Sequence, residues 1–330
     1  MGVSQSRSVS ESVQSSNKAD AQVSPQNIRQ VILALLSHCE VPYAIKPYDQ
    51  FLHDRCLGVC EERGYPGIGS GYGSDQVHGE PSLLPFLPTG VWLAAEAYGH
   101  LKSDLPRLIY IALYTAFITY LDDLFKRDVE SVALFGQRLI RGERQGHHVL
   151  DGLAHAMNDA ETQFGRTAAN IIIYDTLGYM NSLLIDHETQ EVNLSRDALG
   201  FPTYMRLLSG VPSCFAVFIF PPDMPLLSYI QSIPEIRDYI CYMNDVLSFY
   251  KEEIRGEEDN YISLVATSQR LAKYDVLQKL ADDLARTTEQ VNKILKEDPA
   301  AFHAWSTFKA GYIYFHTSNV RYKLDQLNLA

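Results

Sequence analysis

The sequence predicts an all-α protein. Three observations carry this: apolar residues recur at helical spacing through most of the chain after residue 24, strand-like alternation is nearly absent, and neither an internal repeat nor a Pro/Ser-rich linker divides that stretch. One domain over residues 25–330 is therefore expected, and 330 residues are enough to bury a substantial core.

Taken in order, residues 1–24 are Ser, Gln, Asn and other small polar types with little to bury, and are expected to be disordered. Ser24-Pro25 reads as an N-cap with proline at the first helical position, leading into the periodic segment 28–36. Helices are then expected at residues 48–63, 90–101, 104–127, 129–141, 150–165, 168–188, 201–210, 234–255, 270–296 and 299–327. Residues 64–79 (GYPGIGSGYGSDQVHG) are glycine-rich, but no strand precedes them and no Gly-Lys-Ser/Thr follows. They read as a plain connection, not a phosphate cradle.

Composition narrows the function. Hydrophobic residues make up 46% and charged ones 21%, and 20 Tyr with 14 Phe imply that any internal cavity has aromatic walls. Lys and Arg number 28 against 40 Asp and Glu, a net charge of −12 with no basic cluster, which excludes the electrostatic footprint of a nucleic-acid binder. If so acidic a chain binds an anion such as a diphosphate, metal ions must mediate. Five cysteines (Cys39, Cys56, Cys60, Cys214, Cys241) are odd in number and form no zinc pattern, so reduced thiols and a cytoplasmic location are expected. No signal-peptide order is present at the N-terminus, and the apolar run 109–121 is shorter than the roughly 20 residues that span a bilayer. MGVSQS at residues 1–6 fits the N-myristoylation pattern, but no polybasic segment follows to add a second anchor. No stable membrane attachment is expected.

The strongest chemical signal lies in the helix expected from residue 234. Asn244, Ser248 and Glu252 are spaced four apart, drifting only about 80° around the axis in total, so three oxygen donors share one face. Side chains lean toward the helix N-terminus, which lets the long Glu252 reach back toward the short Ser248 and Asn244. That suits Mg²⁺, which takes oxygen ligands at about 2.0–2.1 Å and keeps several waters. On spacing alone, a solvated polar stripe gives the same pattern. The second signal is Asp122-Asp123 at the end of the longest apolar helix, a costly pair to bury without a cation, although a helix surfacing at that point needs none. The adjacent His147 and His148 lie in a polar stretch and read as solvated.

Together the two signals carry a resemblance. An aspartate-rich motif followed far downstream by N-D-x-x-S-x-x-x-E resembles the magnesium signature of class I terpene synthases, and NDVLSFYKEE followed by DNYISLV is similar to the trichodiene synthase family in particular. Arg206 in FPTYMRLLSG resembles that family's diphosphate-sensing arginine, and Arg321-Tyr322 its C-terminal Arg-Tyr pair. The resemblance runs from about residue 25 to the end. It implies a single class I terpenoid synthase helical bundle around a central active-site cavity, a lyase of secondary metabolism that ionises a prenyl diphosphate, most simply farnesyl diphosphate, to a cyclic sesquiterpene hydrocarbon or alcohol.

The roles follow from the same resemblance. Asp122, Asn244, Ser248 and Glu252 would ligate Mg²⁺, three ions with diphosphate bound, while Arg206, Lys251, Arg321 and Tyr322 donate to the diphosphate. The resemblance also implies a homodimer. Candidates for the cavity wall come instead from the helical faces above these ligands: Thr115 and Ile118 above Asp122, Tyr242 beside Asn244, and Tyr312 and Phe315 on the helix leading to Arg321-Tyr322. The sequence departs from the general pattern at Lys126, where a third acid is usual. Asp128 lies about 240° around the helix from Asp122, so Asp122 is the expected ligand and Asp123 the partner of an arginine. Alternatives are a cyclase or prenyltransferase for another chain length, the latter usually carrying two Asp-rich motifs, and a catalytically silent helical interaction protein.

Overall fold

A computed structural model describes residues 23–65, 82–190, 192, 194–195 and 197–330. The expected tail before residue 23, the myristoylation pattern and most of the glycine-rich stretch lie outside the described residues. Thirteen α-helices and several single 3-10 turns make up the described residues, which contain no strand.

The chain enters through α1 (Pro25–His38), where the Ser24 hydroxyl accepts from the Asn27 N–H at 3.2 Å, the cap that the sequence calls for. After α2 (Gln50–Glu62) and α3 (Leu87–Ala97) comes α4 (Leu105–Phe125), opened by Asp104 and Pro106 and apolar on nearly every side. At 21 residues α4 is long and apolar enough to cross a membrane by length and composition, beyond the run counted in the sequence, but most of it is buried inside this fold. Then follow α5 (Val129–Arg141), α6 (His148–Phe164), α7 (Arg166–Glu188) and α8 (Phe201–Leu208). The last group is α9 (Pro212–Val217), α10 (Ile233–Arg255), α11 (Tyr261–Gln269), α12 (Lys273–Leu295) and α13 (Pro299–Ser318).

Three expectations change. The helix expected over 104–127 stops at Phe125, and the one expected over 299–327 stops at Ser318, giving way to 3-10 turns at Val320–Tyr322 and Leu324–Leu327. Two short helices, α9 and α11, add to those expected. The third change is at residues 90–101, where the helix starts earlier and breaks at Tyr98 into a 3-10 turn.

Packing is closest where α3 lies between α4 and α13. At these crossings the backbones touch through glycine: a methyl on Gly90 would strike the Ala112 carbonyl, and one on Gly311 the Glu96 carbonyl. On the other side α10 packs against α9 and α12, and α1 lies against both α12 and α10. Between α8 and α9 the chain turns sharply, with Gly210 at φ 85° and Val211 at φ 46°. A β-branched residue in the left-handed region is strained. The turn is held by Asp175 on α7, whose Oδ2 accepts from the N–H groups of Ser213 (2.8 Å) and Cys214 (3.1 Å), capping α9 from a distance.

Gly311→Ala should destabilise the protein by about 2–3 kcal/mol, because the obstacle is a backbone carbonyl that has no rotamer to escape into. Gly58→Ala, in a helix interior with nothing within 4 Å of the added carbon, should instead raise stability by up to about 1 kcal/mol. Urea denaturation of both variants checks the contrast.

Candidate active site

A cavity of about 430 Å³ opens among α4, α7, α8, α10 and α13. From α4, Thr115, Ile118, Thr119 and Asp122 reach it, a spacing that puts all four on one helical face. The Thr115 hydroxyl donates to the Ile111 carbonyl (2.8 Å) and Thr119 to Thr115 (2.9 Å), so neither offers its proton to the cavity. Asp122 sits at the mouth, half exposed, with Lys126 Nζ 3.4 Å away. Asp123 pairs with Arg127 at 2.6 Å, as expected of it. Asp128 leaves the site altogether: with α4 ended, it caps α5, accepting from the Ser131 N–H (3.1 Å) and hydroxyl (2.5 Å). Those bonds hold its carboxyl below the usual range.

Arg206, near the end of α8, is buried against α10. Its Nε donates to both Asp245 oxygens (2.8 and 2.9 Å), Nη2 reaches the Cys241 carbonyl (3.0 Å) and Asn244 Oδ1 (3.4 Å), and Nη1 the Ser209 carbonyl (3.3 Å). Burial lifts the Asp245 carboxyl to about 6 against the pull of Arg206, leaving it ionised at neutral pH. Farther along α10, Glu252 leans back as the helix geometry requires: its Oε1 accepts from the Ser248 hydroxyl at 2.5 Å and from Lys251 Nζ at 3.1 Å. Asn244 and Glu252 line the cavity. Ser248 and Lys251 are buried behind it and meet it through Glu252.

The C-terminal turn supplies the opposite rim. Asn319 accepts from the Arg321 N–H (3.0 Å) and so caps the 3-10 turn that sends Tyr322 inward and Arg321 outward. Burial pushes the Tyr322 phenol up to about 12. The Arg321 guanidinium lines the mouth and makes no ion pair among the described residues. Tyr312 and Phe315 line the cavity from α13, but Tyr242 does not. Lying about 200° around α10 from Asn244, it faces away, stacks on Tyr261 (centroids 5.5 Å apart) and lines a separate cleft with Thr203 and Val276.

Several residues of the site were not singled out in the sequence. Phe215 comes from α9 and Tyr179 from α7, and nothing local marks either. Asp259, Asn260 and Tyr261, which open the DNYISLV stretch noted in the sequence but were given no role there, lie at the rim, where Asn260 accepts from the Ser263 N–H (2.9 Å) and caps α11. His316, fully buried beneath the site, bonds Asn244. Burial lowers its pKa to about 3, keeping the ring neutral. Away from the cavity, His147 is half buried against the Tyr120 hydroxyl (3.1 Å) and not simply solvated, while His148 is exposed.

The residues with solvent access are mostly the charged ones, Asp122, Asp259 and Arg321, whereas Ile118, Phe215, Tyr312 and Phe315 are buried. An all-helical bundle that puts carboxylate, amide and arginine groups above an apolar, aromatic floor is built as a class I terpene synthase. Comparison with known proteins agrees, and the chain belongs to the trichodiene synthase family, whose model matches residues 91–328. It is 37% identical to alpha-cuprenene synthase COP6 of Coprinopsis cinerea, over 91% of this chain and 90% of that protein. Identity to monoterpene synthase 25 of Postia placenta is 34%, over 75% of each. Linalool/nerolidol synthase of Streptomyces clavuligerus, solved with 2-fluorogeranyl diphosphate, superposes with a TM-score of 0.61 over 84% of this chain and 96% of that one. At 13% identity, that likeness is one of fold.

Asp128→Ala should remove about 1 kcal/mol of stability through loss of the α5 cap, with turnover unchanged. Parallel denaturation and steady-state rates check this.

Proposed function

We propose that this chain cyclises farnesyl diphosphate to a sesquiterpene, releasing diphosphate, with Mg²⁺ held by Asp122 on one side of the mouth and by Asn244, Ser248 and Glu252 on the other. The observation that carries the reading is that Asp122 on α4 and Asn244 and Glu252 on α10, far apart in sequence, line one cavity together with Arg206, Arg321 and Tyr322. The donors fit the ion: they are hard oxygens, and the family generally uses Mg²⁺. Among the described residues no group of three or more His, Cys, Asp or Glu could hold a metal alone, so the remaining ligands must come from water and from the diphosphate itself. Bound Mg²⁺, in a set of three ions, would offset the repulsion between the diphosphate and the acidic mouth and stabilise charge on the departing oxygen.

The protein's own groups supply the rest. Arg321, without an ion pair among the described residues, presents a fork suited to two diphosphate oxygens, and the Tyr322 phenol, kept protonated by burial, adds a neutral donor. Lys251 adds positive charge beside Glu252, and Arg206, tied to Asp245, reports the state of α10 to the turn after α8. Below the mouth, the faces of Phe215, Tyr312 and Phe315 can stabilise the allylic cation, and their burial excludes water.

Incubation with geranyl, farnesyl and geranylgeranyl diphosphates plus Mg²⁺, read by gas chromatography and mass spectrometry, should give cyclic C15 products from farnesyl diphosphate and none in EDTA. A preference for geranyl diphosphate would overturn the chain length, and full activity in chelator the metal role. Arg321→Lys should keep the wild-type thermal midpoint, since the guanidinium bonds no other described residue, and lose roughly ten- to 150-fold in turnover. Early melting with full activity in the folded fraction would make the residue structural.

A further inference from the structure

The Asn244 amide has two ends, and only its oxygen can ligate a cation. Rotation by half a turn exchanges oxygen and nitrogen at almost no steric cost, so something nearby must choose between them. His316 is placed to do so. Its Nδ1 lies 2.7 Å from the Tyr312 carbonyl oxygen, which can only accept, so Nδ1 carries the ring proton. In the neutral ring Nε2 then holds a lone pair, and Asn244 Nδ2 lies 3.1 Å from it. The amide N–H therefore points at His316, which leaves Oδ1 on the side where Arg206 Nη2 approaches at 3.4 Å and the cavity begins. A flipped amide would set its oxygen against the Nε2 lone pair in a place without solvent.

We infer that His316 is a positioning residue, fixing the Asn244 amide with its oxygen turned to the metal side of the cavity. The ring itself has no freedom to drift. It is fully buried, edge-on to Tyr312 (centroids 4.7 Å, 84°) and packed on Phe315 (4.8 Å) and Tyr322 (4.5 Å). Because Tyr322 belongs to the C-terminal rim, one imidazole sets the orientation of a ligand on α10 and supports the turn that carries Arg321. The inference rests on the reading of Asn244 as a ligand.

Two measurements test it, the first on the wild-type protein. A long-range ¹H–¹⁵N spectrum of protein labelled with ¹⁵N-histidine, assigned by the signal lost in His316→Gln, should show His316 protonated at Nδ1 and bare at Nε2. The opposite tautomer would overturn the inference. The second is Mn²⁺ binding, read by electron paramagnetic resonance with inorganic diphosphate present. His316→Phe fills the space but accepts nothing and should weaken Mn²⁺ binding about tenfold or more, whereas His316→Gln, whose amide oxygen can take the Asn244 N–H, should stay within about threefold of wild type. Equal loss in both variants, or wild-type binding by His316→Phe while Asn244→Ala binds tenfold more weakly, would refute the positioning role alone. Wild-type binding by Asn244→Ala would instead bring down the ligand reading on which it stands.

Discussion

The wall of the cavity on its α8–α10 side depends on the ion pair between Arg206 and Asp245. Both groups are largely removed from water, at 15% and 11% side-chain exposure, and neither charge is tolerable there alone. The pair does more than neutralise itself. The same guanidinium bonds the carbonyls of Ser209 and Cys241 and the oxygen of Asn244, so α8, the strained turn after it and the Asn244 stretch of α10 share one anchor. Removing either partner leaves a buried charge, a loss of about 3–5 kcal/mol, and would free all three elements together. Geometry of the mouth is thereby coupled to stability of the fold.

Above that anchor the site separates two tasks by depth. Charged groups gather where water reaches, and the floor is made of buried rings and aliphatic side chains whose hydroxyls, at Thr115 and Thr119, are committed to their own helix. This division suits an ionisation followed by the reactions of a cation. Departure of an anion needs concentrated positive charge at the mouth, whereas the species left behind needs polarisable faces and no nucleophile. Tyr312 links the two levels: its ring forms part of the floor, its hydroxyl donates to the Ile240 carbonyl (3.2 Å) and its carbonyl accepts from His316.

Much of this was legible in the sequence, and what was missed follows a physical pattern. Long helices announce themselves through period and caps, as with Ser24-Pro25 and α1, and the backward lean of Glu252 onto Ser248 follows from helix geometry alone. The helix ends were less legible. Nothing in residues 104–127 says that the helix stops at Phe125, since Asp128 becomes a cap only once the chain has turned. Tyr242, two residues from Asn244 in sequence, is not its neighbour on the helix face, because two residues turn about 200° around the axis. Phe215, Tyr179 and His316 could not have been found locally. Their roles arise when separate helices converge, and a histidine in an aromatic helix looks like core until its two nitrogens are seen to have different partners.

The ion pairs around the cavity differ in what they leave free. At the mouth, Asp122 with Lys126 and Asp123 with Arg127 are pairs between half-exposed groups one helical turn apart, each contributing about 0–1 kcal/mol. Asp122 can therefore give up Lys126 at little cost, and Lys126, on a long flexible stem, can swing into solvent. The lysine at position 126, where the sequence departs from the expected acid, thus weakens the field of Asp122 without locking it. Arg206 stands at the opposite extreme, with every nitrogen engaged and little of its side chain in contact with water. Among the described residues Arg321 is thus left free to turn at the mouth, whereas Lys251 is buried against Glu252 and Arg206 holds the frame around them.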